Sequence, residues 1–125
     1  MLKISPVFDI NEKERLCKKC DVDAFPTALT YSIQSDGTEI GVCQFKLCEG
    51  GGRILILRNT TDCDDNDALI IAGRAALDFI ERNSGFDAYY DDNISTIAAR
   101  RLGFKDGKLD LHGYFGSCPG CAGSK

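Results

Sequence analysis

Ile54-Leu55-Ile56-Leu57 is the stretch that most restricts the fold of this chain. Side chains alternate between the two faces of a strand, so four apolar residues in a row leave neither face for water. A strand over residues 53–58 is therefore expected to run inside a sheet covered on both sides. The chain supplies one cover directly afterwards. Over residues 66–83, Ala68, Ile71, Ala72, Ala75 and Phe79 recur at steps of three and four, and Leu69, Ala76, Leu77 and Ile80 widen the stripe. That period predicts an amphipathic helix, stopped by Asn83-Ser84-Gly85. Phe86, Ala88 and Tyr90 then share one face of a predicted strand over 86–91. Strand, helix and strand in this order make a right-handed βαβ unit, so the two strands are parallel neighbours.

Upstream, the pattern is a meander. Leu29, Tyr31 and Ile33 alternate with polar residues over 28–34, and Cys43, Phe45 and Leu47 share one face of a strand over 39–48. Asp36-Gly37 is a strong hairpin signal between them, and Glu49-Gly50-Gly51-Gly52 makes a second turn. The start reads as a short strand over 3–8, with Pro6 marking an edge. Asp9 opens a helix to about Cys20, with Glu12 at capping-box spacing. Its apolar residues are Ile10, Leu16, Cys17 and Cys20, and Lys13 falls among the charged ones. A shorter helix over 93–101 ends before Gly103, and a last strand covers 108–115. The fold class is α/β, a mixed, mostly antiparallel sheet with helices on both faces. It forms one domain over 1–115, followed by an irregular Cys-bearing tail over 116–125.

Composition removes several classes of function. Acidic residues outnumber Lys and Arg by 19 to 15 in 125 residues, for a net charge of −4. No nucleic-acid partner is expected, because that binding draws on a basic surface. No apolar run approaches the ~20 residues that span a bilayer, so no membrane partner is expected either. The first residues have no long apolar segment of the secretory kind. With seven Cys and no such segment, the thiols are expected to stay reduced in a cytoplasmic protein.

The order of elements, together with Ile54 to Leu57 before the long helix and Asn93 through Ala98 to Leu102-Gly103-Phe104, resembles the GNAT (Gcn5-related N-acetyltransferase-like) superfamily over residues 3–115. The chain is also similar to small GNAT-like proteins that carry a Cys-bearing tail. The resemblance implies a small-molecule ligand, acetyl-CoA or another acyl-CoA, in a gap beside the central strand. Backbone atoms of Leu57, Arg58, Asn59, Thr60 and Thr61 would hold its pantetheine and pyrophosphate, with Asn93 nearby. If the chain is an enzyme, the resemblance makes it an acetyl-CoA-dependent N-acyltransferase. Two positions depart from the family. The loop after Arg58 has no glycine and carries Asp62, Asp64, Asp65 and Asp67 where phosphates would lie. An Asp at a helix N-terminus gains ~0.3–1 kcal/mol from the dipole. A bound phosphate charge at ~7 Å from an Asp is repelled by about 2 kcal/mol at an effective dielectric of ~20. The helix end is therefore expected to be satisfied by its own side chains. The family's proton-donating Tyr, four residues before the glycine of Leu-Gly-Phe, is Ala99 here.

The alternative reading is a non-enzymatic metal-binding or thiol module. Cys17-Lys18-Lys19-Cys20 and Cys118-Pro119-Gly120-Cys121 offer four thiolates, which suits zinc or an iron–sulfur cluster. They meet only if the tail folds back on the first helix. Otherwise Cys17 packs in the core and Cys118 and Cys121 form a reactive tail. Cys43, Cys48 and Cys63 read as packing residues, and the acids around Cys63 are expected to raise its pKa. His112 reads as a strand residue that could also replace one Cys on a metal. Asp62-Cys63-Asp64-Asp65-Asn66-Asp67 starts like a calcium loop but lacks its Gly and its final Glu, so helix capping is the better reading. Gly50-Gly51-Gly52 is a turn, since no Lys-Ser/Thr follows.

Overall fold

The computed structural model describes residues 1–83 and 85–112, with the backbone alone at Asp92 and Asn93. The elements are β1 (Leu2–Val7), α1 (Ile10–Lys19), β2 (Leu29–Ser35), β3 (Thr38–Cys48), β4 (Gly51–Asn59), α2 (Asn66–Arg82), β5 (Asp87–Ile94), α3 (Thr96–Leu102) and β6 (Lys108–Asp110). The six strands lie in chain order in one sheet. Every neighbouring pair is antiparallel except β4 and β5, which α2 joins as a parallel pair. The mixed, mostly antiparallel sheet expected from the sequence is thus the one observed. The tail over 116–125, with Cys118 and Cys121, lies outside the described residues; of the last strand, expected over 108–115, only Lys108–Asp110 is strand, so Leu111 and His112 lie beyond it, and 113–115 are outside the described residues.

The central strand is buried as its composition requires: Ile54, Ile56 and Leu57 are fully buried and Leu55 nearly so. Its alternation contains one irregularity. Gln44 of β3 faces Ile56 while Phe45 faces Ile54, so Leu55 is an extra residue on β4, a bulge. In consequence Ile54 and Leu57 join the core under α2 and α3, while Leu55 and Ile56 join the core under α1. The β2–β3 turn is of the mirror-image type that matches strand twist, with positive φ at Asp36 and Gly37.

Three local expectations are corrected. First, β5 runs on to Ile94 and α3 starts only at Thr96, so Asn93 is a strand residue, not the start of a helix. Ser95 sets that boundary: its extended backbone and side-chain oxygen cap the helix by accepting from Ala98 N–H at 3.1 Å. Second, Gly51 and Gly52 belong to β4, which leaves Glu49 and Gly50 as the turn. Third, the buried stripe of α1 is Lys13, Leu16 and Cys17, continued by Cys20 at its C-terminal cap, while Ile10 is half exposed. Lys13 Nζ donates to the carbonyls of Pro26 at 3.2 Å and Ala28 at 2.9 Å. Gln44, fully buried, donates to Phe25 O and Thr30 Oγ1 and accepts from Phe25 N–H. These two side chains pin the irregular segment between α1 and β2.

Glu39 ties α1 to β3. It accepts from Arg15 at 2.8 Å and from Lys19 at 2.9 Å. The hydrogen bonds from Arg15, then those from Lys19, hold its carboxyl down at about 2, against burial. A carboxyl depressed in the folded state stabilises above its unfolded value, and that contribution is lost as pH falls from about 4.5 through about 2. Arg15 and Lys19 are nearly half exposed, so screening limits the effect. Glu39→Gln is expected to cost about 1 kcal/mol at pH 7. Urea melts of both proteins at pH 7 and pH 2 check it: the gap should close at pH 2.

Candidate functional site

At the C-terminal end of β4 the surface opens into a cleft of about 410 Å³. Leu57, Arg58, Asn59, Thr60 and Thr61 all line it, together with Cys20, Cys63, Asp64, Asn66 and Ser95. Five of the six residues expected to hold a ligand are therefore gathered by the fold. Asn93 stands in β5 opposite Ile56.

The backbone donors around this cleft are largely engaged. Thr60 N–H donates to Ile40 O at 2.9 Å and Thr61 N–H to Lys19 O at 3.0 Å. Cys63 N–H donates to Thr60 O at 3.0 Å, and Leu69 N–H to Asp65 O at 3.3 Å. Asn59 Oδ1 accepts from Asp65 N–H at 2.9 Å, while its amide nitrogen donates to Ile40 O. Asp65 caps α2, its carboxylate accepting from Ala68 N–H at 3.1 Å. Among the acids, Asp62 accepts from Thr60 Oγ1 at 2.8 Å and Asp67 pairs with Arg101 at 2.9 Å. At the helix start Asp65 satisfies the Ala68 amide through its carboxylate and the Leu69 amide through its carbonyl, two of the four that a helix end leaves open, so the capping expected of the acidic run is carried by Asp65.

The gap beside β4 is also bridged. After Ile54 with Tyr90 the register of β4 and β5 shifts by one residue, and pairing resumes with Ile56 opposite Asn93 and Leu57 opposite Ile94, after which Ser95 N–H donates to Leu57 O at 3.2 Å. An extended thioester arm lying between these strands would have to displace those bonds. Each buried amide or carbonyl left unpaired costs about 1–3 kcal/mol.

Among the described residues no tyrosine lines the cleft. Ala99 is packed in the core. Tyr90 meets Phe104 edge-on at 4.9 Å and Tyr89 lies under Arg53, and neither lines the cleft. Burial first, then Asp65 and Asp62, pushes the Cys63 thiol up, so desolvation leads and the acids follow. Arg58 is the cleft's unpaired cation, with no ion pair among the described residues.

The thiols divide. Cys17 and Cys20 are fully buried under α1, where burial pushes them up to about 11 and about 12, and Cys20 Sγ donates weakly to Arg58 O at 3.7 Å. Among the described residues no three His, Cys, Asp or Glu side chains gather as metal ligands. Cys43 is a core residue pushed up to about 12 by burial. His112 is exposed, stacked on Phe86 at 4.9 Å and bonded to Asp110 at 2.7 Å. Sequence reasoning missed Asn59 as the tie between strand end and helix start, and Ser95 as cap and cleft wall. A Ser before Thr-Ile-Ala-Ala is a capping signal that could have found the second.

No protein-family model matches the sequence, and no curated protein matches it either. The fold does have a match. The crystal structure of an N-acetyltransferase from Staphylococcus aureus Mu50 aligns with a TM-score of 0.59, covering 84% of this chain and 82% of that one, at 16% sequence identity. The chain has a GNAT-like fold.

Proposed function

We propose that this chain is a GNAT-fold protein whose cleft does not grip an acyl-CoA pyrophosphate and which does not catalyse acetyl transfer. The observation that carries this is the prior engagement of the Thr60, Thr61, Cys63 and Asp65 amides by acceptors within the chain. A pyrophosphate site at a helix start depends on free N–H groups. The acids of the same loop add repulsion, and Ala99 offers no proton to a leaving thiolate. The second reading, an acyl-CoA-dependent N-acyltransferase, is favoured by the fold and by Arg58 unpaired in the cleft.

Thermal melts with acetyl-CoA separate the two. A ligand at 100 times its Kd adds about 2.7 kcal/mol, which moves the Tm of a domain this size by several degrees. The expected result is no rise at millimolar acetyl-CoA. A rise of several degrees that Arg58→Ala removes would establish the second reading instead.

A further inference from the structure

A second pocket opens at the opposite end of the sheet, where β1 ends and β2 begins. Its volume is about 390 Å³, within the range of small-molecule sites. Its walls are apolar and aromatic. Tyr31 and Phe45 lie 5.3 Å apart, Phe45 and Phe79 meet edge-on at 5.5 Å, and Phe8, which also lines the pocket, is 81% exposed.

One lining residue does not belong in such a place. Lys13 is only 8% exposed. Its ammonium carries three N–H donors, and two go to the carbonyls of Pro26 and Ala28. Ala28 O also accepts from Thr30 Oγ1 at 3.1 Å. The third N–H has no acceptor among the described residues, and the charge has no carboxylate partner among them. A buried cation without a counter-ion is unfavourable. Tyr31 lines the pocket from the α2 side of β2, and its hydroxyl likewise has no hydrogen-bond partner among the described residues. Asp78, whose charge reaches Tyr31, is itself paired with Arg82 at 2.8 Å.

We infer that this pocket binds an apolar monocarboxylate, an acyl or aryl group ending in a carboxylate. The apolar part fills the space between Phe45, Phe79 and Leu29. The carboxylate takes the remaining N–H of Lys13, supplying the missing counter-charge. The site is separate from the β4 cleft, so it stands whether or not acyl-CoA binds there.

Calorimetric titration with octanoate and 3-phenylpropionate, each beside its neutral amide, tests this. At least one acid should bind, and its amide should bind about tenfold more weakly or worse, since a hydrogen bond to a charged group is lost. Lys13→Gln keeps donors for the carbonyls and should erase the preference for the acid. Because Lys13 also anchors a loop, Leu29→Trp serves as the second variant. It fills the pocket from a partly exposed wall while leaving Lys13 in place, and should remove binding of acid and amide alike. The inference is overturned if neither acid binds at millimolar concentration, if the amide binds as tightly as the acid, or if folded Leu29→Trp binds the acid unchanged.

Discussion

Gly51→Ala is expected to destabilise the fold by about 3 kcal/mol or more, the range of severe overpacking. A Cβ at this position would lie 1.9 Å from the carbonyl oxygen of Asp87, 2.8 Å from its carbonyl carbon and 3.1 Å from its nitrogen. All three are backbone atoms of the paired strand, so no rotamer change relieves the contact. β4 and β5 would have to part at the first rung of their only parallel pairing, where Gly51 faces Asp87. Gly73→Ala is the informative contrast. Its Cβ would meet Leu102 Cδ1 at 2.7 Å, the tip of a side chain that can turn aside. A helical Gly→Ala change also gains about 1 kcal/mol. Urea denaturation of both variants checks the ranking, and a loss below about 1 kcal/mol for Gly51→Ala contradicts the close approach of the two strands.

Leu57→Ala is expected to cost about 3–4 kcal/mol, through lost burial and the cavity left behind. Leu57 is fully buried on the central strand and packs toward α2, where its side chain lies 3.3 Å from the Cβ position of Gly73. Neighbours there are held by the sheet and by two helices, so little collapse can fill the space. Ile97→Ala is the control. Ile97 is 54% exposed on α3, and Ala is the better helix former, so its change should be close to zero. Since a domain holds roughly 5–15 kcal/mol in all, the first variant should shift the urea midpoint visibly and the second should not.

Much of the architecture was legible because it rests on local pattern. The all-apolar Ile54 to Leu57 placed the central strand, the period of α2 placed the crossover, and Asp36-Gly37 placed the hairpin. The capping role of Asp65 was legible in the acidic run for the same reason, since capping acts over three residues. What was not legible depends on contacts between distant segments. The bulge at Leu55 shows only in the register of three strands. The boundary at Ser95 depends on β5 staying paired with β4 through Ile94. Lys13 reads as a surface residue until the carbonyls of Pro26 and Ala28 are seen to receive it. The closure of the cleft has the same origin, because Thr60 and Thr61 find their acceptors on the β3 start and the α1 end.

Hydrogen exchange read at single residues tests most directly whether those amides are already spent inside the chain. In the free protein the Thr60, Thr61 and Asp65 amides should exchange slowly, and saturating acetyl-CoA should leave their rates unchanged. Fast exchange at all three, slowed by acetyl-CoA, would contradict the account and return the cleft to acyl-CoA chemistry.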